Sequence, residues 1–422
     1  MKHSYSAALR PARAGRPGPF VLAGRLWLVL LLALPGLARA QAPAWAEATT
    51  GSLTQANGTS STRAVATDAS GNVFVTGSFT GSVAFGSTLL TSRGSNDLFV
   101  AKYVPATSTW AWAQSGGGTG ADIGFGVAVS GGSVYVTGQL VNNTANASGV
   151  LFGGTGTTPG TVQVNGASGT NAQDLVLAKY TDNGTSADLG WTQVGGGASA
   201  DVGYGVAVSG GSVYVTGYLT NSTVNSTRVL FGGTGTTLGT VQQNGTSGPT
   251  TQDLVLAKYT DNGSSAALGW TQVGGGTLND MGQGVAVSGG SVYVTGYIQN
   301  NTANASGVLF GGTGTTAGTV QVNGATTANG QDLVLAKYTD NGASATLGWT
   351  QVGGGISTDL GFGVAVSGAS VYVTGQLVNN TANGSGVLFG GTGTTAGTVQ
   401  VNGASGTNSQ DLVLAQIGRA HV

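Results

Sequence analysis

Residues Gly205–Gly217 read GVAVSGGSVYVTG. Two short Val-rich runs flank a Gly-Gly pair. Glycine accepts the positive φ that a two-residue hairpin turn demands, and runs of this kind are strand formers. The stretch therefore predicts two antiparallel strands joined by a tight turn.

The same phrase recurs along the chain. VYVTG ends at Gly138, Gly217, Gly296 and Gly375, a constant step of 79 residues, and VFVTG ends at Gly77, 61 residues before the first of these. DLVLAKY (Asp253–Tyr259) and LGWTQV (Leu268–Val273) keep the same rhythm, with Asp261-Asn262-Gly263 as the turn between them. Each unit thus predicts four strands, and no helical period appears after residue 40. Leu254-Val255-Leu256-Ala257 is apolar on both faces, which requires a sheet covered on both sides. A small sheet with two buried faces, repeated along the chain, predicts an all-β fold. The expected architecture is a β-propeller of four-stranded antiparallel blades, about five in this chain. A β-solenoid is the alternative, although its coils are nearer 20–30 residues.

The longer units carry an insertion between VYVTG and DLVLAKY, for example Thr220–Gln252. Within it Val229-Leu230-Phe231 and Thr240-Val241-Gln242 predict an added hairpin, and the remainder reads as Asn/Thr/Ser/Gly loop. The four insertions are expected on one side of the array.

The N-terminus has a basic start, the apolar run LWLVLLLALPGLA and a small-residue site at Ala38-Arg39-Ala40. That pattern predicts a cleaved secretory signal over residues 1–40 and a secreted or cell-surface protein. The repeat domain is assigned to 41–415. Residues 416–422 close with IGRAHV, which matches the translation of a sequencing-adapter read-through, so the native sequence is expected to continue differently after Ala415. Trp45-Ala46-Glu47-Ala48 reads as an isolated fourth strand. Two endings follow: further units beyond Ala415, or a five-blade ring closed by the Trp45 strand.

Between Gln41 and Ala415, four Lys and three Arg face fourteen Asp and one Glu, a net charge of −8. Such an acidic domain without basic clusters suits neither nucleic acid nor anionic membrane. The chain has no Cys, and its two histidines, His3 and His421, lie outside the repeat domain. Ser-His-Asp and Cys-His nucleophiles are thereby excluded there, as are zinc sites built on His or Cys.

GNVFVTGSFTGSVAFGSTLLTSRGSNDLFVAKY (Gly71–Tyr103), followed by WAWAQSGG and DIGFGVAVSGGSVYVTG, resembles the SBBP-type bacterial β-propeller repeat. The likeness extends over nearly all of residues 45–415. It implies an exported surface or extracellular protein, often with a C-terminal sorting module, and no family-wide catalytic residues. The 79-residue units are longer than the first step of 61.

Several repeated residues are candidates for function. Asp122, Asp201, Asp280 and Asp359 stand in the phrase DxGxG just before a strand expected to line a central channel. As a carboxylate ring they would attract a hard cation such as Ca2+. The competing reading is an Asx-type cap on a Gly turn, and the first unit has Ser60 at the aligned place. Asp182, Asp261 and Asp340 open Asp-Asn-Gly turns and read as turns alone. Asp174 and Lys179 point to opposite faces of one strand, with Lys read as an edge guard against aggregation. Trp191, Trp270 and Trp349 read as packing between blades.

Two sets of positions vary between otherwise similar units. Phe125, Tyr204, Gln283 and Phe362 follow DxG, and Gln139, Tyr218, Tyr297 and Gln376 follow VYVTG. Both sets are expected near turns, where a rigid scaffold presents contacts. The leading reading is a non-enzymatic scaffold that binds polysaccharide or a surface protein and needs no cofactor. The alternative is a glycan-cleaving propeller using paired Asp carboxylates, for which Asp188 with a repeat Asp is the candidate pair.

Overall fold

The computed structural model describes residues 48–418, except 54–57, 142–148, 156–157, 159, 167–171, 221–228, 246–250, 300–306, 325–329, 379–386 and 402–409. The signal segment, Trp45, the loop-like parts of the insertions and residues 419–422 lie outside the described residues. The chain divides at Thr50 into two units. Of the first, residues 48–50 are exposed and outside any strand. The second, from Gly51, holds the repeats.

The described fold is all-β apart from one 3-10 turn at Pro105–Thr107, and every strand pair among the described residues is antiparallel. That pairing is the opposite of the parallel stacking in a solenoid. The third unit shows why the sequence folds this way. Val202–Ser209 pairs with Ser212–Thr220 through the two-residue turn Gly210-Gly211. Ser212–Thr220 then pairs with Gln252–Asp261, and that strand with Ala266–Gly275. The observed strands are the four read from the sequence, each extended by one to three residues at an end.

The sheets are not four-stranded. Val229–Gly233 and Val241–Gln243 do form the expected hairpin. Its first strand, however, pairs with Ala187–Gly196 of the preceding sheet, not with its own. The same holds for Val150–Gly154 on Thr109–Gly117, Val308–Gly312 on Ala266–Gly275 and Val387–Gly391 on Ala345–Gly354. Four sheets are therefore six-stranded, and the sheet of Leu360–Ser367, Ser370–Val378 and Gln410–Ile417 has three. The shorter insertion of the first unit makes a separate three-stranded sheet, Ser52–Leu53, Ser82–Phe85 and Thr88–Thr91.

Glycine leaves room for the hairpin at that edge. Phe231 covers Gly195, where a Cβ would lie 2.6 Å from the phenyl ring, and Phe310 covers Gly274 likewise at 2.7 Å. The GGG run after Trp is thus a seat for the next unit's Phe. Cores form between sheets, with Trp191, Phe231, Tyr259 and Val273 in one of them. Tyr180, Tyr259 and Tyr338 are fully buried at the end of the third strand. Ile417 stands at the corresponding position of the last sheet, and an apolar groove of about 390 Å3 opens there between Leu335, Phe389, Val413 and Ile417.

Candidate functional site

The first strands of consecutive sheets lie side by side, and each carries a β-bulge at the same place. The register slips between Thr62 and Ala64, Gly124 and Gly126, Gly203 and Gly205, Gly282 and Gly284, and Gly361 and Gly363. The extra residue in each bulge is Arg63, Phe125, Tyr204, Gln283 or Phe362. A bulge re-aims one side chain and is characteristic of functional edges.

The surrounding repeat residues make the bulge. At Gly217 a Cβ would collide with the carbonyl oxygen that the bulge pushes inward at Val202, and Gly138 stands in the same relation to Ile123. The terminal Gly of VYVTG is therefore set by the bulge opposite it. The glycines flanking the bulged residue allow the neighbouring sheet to approach. A Cβ on Gly126 would lie 2.6 Å from the Tyr204 carbonyl, and one on Gly203 would collide with the Thr137 hydroxyl. Thr137 itself is fixed by donating to the Val176 carbonyl at 2.9 Å. In four of the five bulges a frame of Gly and Thr thus presents one variable side chain, and in the first Thr62 and Ala64 flank Arg63.

At one end of the row these variable side chains meet. The Phe125 and Tyr204 rings are 4.9 Å apart, and Tyr204 and Tyr218 are 6.0 Å apart. The Arg63 guanidinium lies over the Phe125 ring at 5.9 Å. Phe125, Tyr204 and Gln283 are half-buried, and Phe362 is exposed. The second candidate set sits behind this row. Gln139, Tyr218 and Tyr297 are buried, and Gln376 is half-buried. Gln139 donates to the Ala121 carbonyl at 3.1 Å. Burial pushes Tyr218 up, with the Tyr204 hydroxyl and the Asp201 carboxyl adding to the effect, and pushes Tyr297 to about 12. Both hydroxyls therefore stay protonated. Arg63 is absent from the sequence candidates because its flanks are Thr62 and Ala64, where the later units carry the glycines that mark the variable position.

The four DxGxG carboxyls face backbone. Asp122 accepts from Gly118 N at 2.8 Å and Val141 N at 2.9 Å. Asp201 accepts from Gly197 and Thr220, Asp280 from Gly276 and Gln299, and Asp359 from Gly355 and Val378. This is the geometry of a backbone cap tying the start of one strand to the end of the next. No three His, Cys, Asp or Glu side chains converge among the described residues. Burial pushes Asp122 to about 7, against its two N–H donors, with the Asp97 carboxylate adding to the rise. Burial raises Asp201 and Asp280 well above the ordinary value and Asp359 to about 6. Asp188, proposed as half of a catalytic pair, accepts at 2.8 Å from Asn183 of its own turn.

The Asp-Asn-Gly aspartates do more than turn the chain. Lys102, Lys179 and Lys258 each place their ammonium 2.6 Å from Asp182, Asp261 and Asp340 of the following unit. Asp261 also accepts from Trp191 Nε1 at 2.9 Å, the Tyr135 hydroxyl at 2.7 Å and Gly263 N at 2.9 Å. These lysines are buried between sheets, which corrects their reading as edge guards. Phe74 replaces the tyrosine in the first unit, and Lys102 lies over its ring at 5.7 Å. Burial tends to raise Asp261, but the bonds from Lys179, Tyr135 and Trp191 outweigh it and hold the carboxyl below the ordinary range.

No protein-family model matches the chain, and no curated protein sequence matches it.

Proposed function

We propose that this chain is an exported, non-enzymatic β-propeller scaffold of the SBBP-repeat type, which binds polysaccharide through the row of bulged side chains. In this reading the sheets are blades, their first strands face a common axis, and residues 1–40 direct export. The observation that carries it is the contrast at each bulge. The frame of Gly, Thr and Asp is repeated in four units, while the presented residue changes through Phe125, Tyr204, Gln283 and Phe362; the first unit keeps the bulge with Thr62 and Ala64 as flanks and presents Arg63. Tilted aromatic rings with amide and hydroxyl groups beside them suit sugars, which offer C–H faces and hydroxyls together. Binding is favoured over cleavage because the carboxyls next to the row point at backbone N–H groups.

The test is depletion of the full chain from solution by a panel of insoluble glycans, with release of reducing ends followed in the same tubes. Depletion without release, lost in Phe125→Ser with Tyr204→Ser, is the expected result. Release of sugar would favour the cleaving alternative. Depletion unchanged in the double variant would remove the row from the account.

A further inference from the structure

The row is asymmetric in charge. Of its five bulged residues only Arg63 is charged, and it stands at the end nearest the two stacked rings. Resting on the glycan-binding reading above, we propose that Arg63, Phe125 and Tyr204 form a subsite for an acidic sugar, whose carboxylate pairs with the guanidinium while its ring lies on the aromatic pair.

The geometry of Arg63 supports this. A guanidinium laid over an aromatic ring keeps its edge N–H groups available, and that edge is the fork which matches a carboxylate in bidentate fashion. Arg63 is exposed, and among the described residues it takes no part in an ion pair. Lys102, Lys179 and Lys258, by contrast, are all committed to buried aspartates. Arg63 is therefore a cation held in place by a ring and directed at solvent.

The acidic balance of the chain does not oppose an anionic ligand here. The carboxyls beside the row belong to Asp122, Asp201, Asp280 and Asp359. All four are buried and turned onto backbone N–H groups. Burial raises each of them, least for Asp359, which lessens their negative charge near neutrality. The other end of the row, Gln283 and Phe362, carries no charge. A polysaccharide lying along the bulges would thus meet a cationic end and a neutral end, which fixes its direction.

The probes are oligogalacturonate and oligoglucuronate against neutral oligogalactan and cello-oligosaccharide of equal length, titrated into the full chain by calorimetry. The acidic member of at least one pair should bind tenfold or more tightly than its neutral partner, and that preference should weaken as salt is raised. Arg63→Gln should abolish the preference, bringing the acidic affinity down to that of the neutral partner, with the melting temperature unchanged. Equal binding of acidic and neutral oligomers, or a preference that survives Arg63→Gln, overturns the acidic subsite and leaves the glycan-binding reading standing. Failure of every oligomer to bind, together with failure of the insoluble panel, overturns both.

Discussion

The ammonium nitrogen of Lys179 lies 2.6 Å from a carboxylate oxygen of Asp261, and the two residues belong to different sheets. Both side chains are nine-tenths buried or more. Breaking a buried pair by removing one partner costs about 3–5 kcal/mol. The two partners are not equivalent, however. Asp261 serves Lys179, Tyr135, Trp191 and Gly263 at once, so its removal orphans several donors. Asp261→Ala is expected to fall in that range, and Lys179→Met to cost clearly less. Urea denaturation of the two variants orders them, and a costlier lysine variant would contradict the clasp.

Stability should fall between mildly acidic and neutral pH. Asp97 and Asp122 are raised by burial to about 7 and Asp359 to about 6. In that window the folded chain binds protons that the unfolded chain has released. Their contribution is full below the ordinary carboxylate value of 3.8 and is lost as pH rises through 6 to 7. Asp261 and Asp340, held low, act in the other sense. Their stabilisation is present above that ordinary value and disappears as pH falls through their depressed ones. The melting temperature is therefore expected to peak between roughly pH 4 and 5.5. It should drop by about 5 °C or more by pH 8. Thermal melts followed by tryptophan fluorescence test this, and a steady rise from pH 5 to 8 would contradict it.

The bulge depends on its glycine partner more than on the residue it presents. Gly217→Ala forces a methyl group into the Val202 carbonyl and should cost about 1–3 kcal/mol, as overpacking does. Tyr204→Gln copies Gln283 of the next unit and should stay within about 1 kcal/mol of the parent. Chemical denaturation of both variants provides the comparison. Equal losses would mean that the presented side chain is structural.

How much of this was readable in the residues alone differs from element to element. The hairpin at Gly210-Gly211 and the strands around Tyr214 and Trp270 follow from local chemistry, since turn formers and Val-rich runs need no distant partner. The insertion hairpin was also readable, because Phe231 and Val241 have strand character. Its attachment was not. Ala187–Gly196 and Ala266–Gly275 carry the same glycine seat, Gly195 and Gly274, so nothing local to Phe231 tells the two edges apart. Lys179 was misread for a related reason. One unit shows Lys179 without its acid, and Asp261 is 82 residues farther along. The bulges were hidden too, as a register slip leaves only a GxG that resembles any loose strand.

The cross-unit attachment itself can be tested. Phe231→Ala empties the seat over Gly195 and should cost about 3–5 kcal/mol. The faster amide exchange it causes should appear in Ala187–Gly196, the strand on which the hairpin rests. Ser212–Thr220 and Gln252–Asp261, which flank the hairpin in sequence, should change less. Exchange confined to those flanking strands would contradict the pairing.

Because the hairpin of each longer unit finishes the sheet before it, the junctions between these units are built from both sides by the same residues. The clasp from Lys179 to Asp261 recurs from Lys258 to Asp340 with the same 82-residue reach. A duplication or loss of one whole 79-residue period reproduces an intact junction at the new boundary, with its seat, clasp and bulge. A change that removes part of a strand or of the Asp-Asn-Gly turn leaves a hairpin without a seat or a lysine without its acid. The gene can therefore lengthen or shorten this protein in whole periods without redesigning an interface.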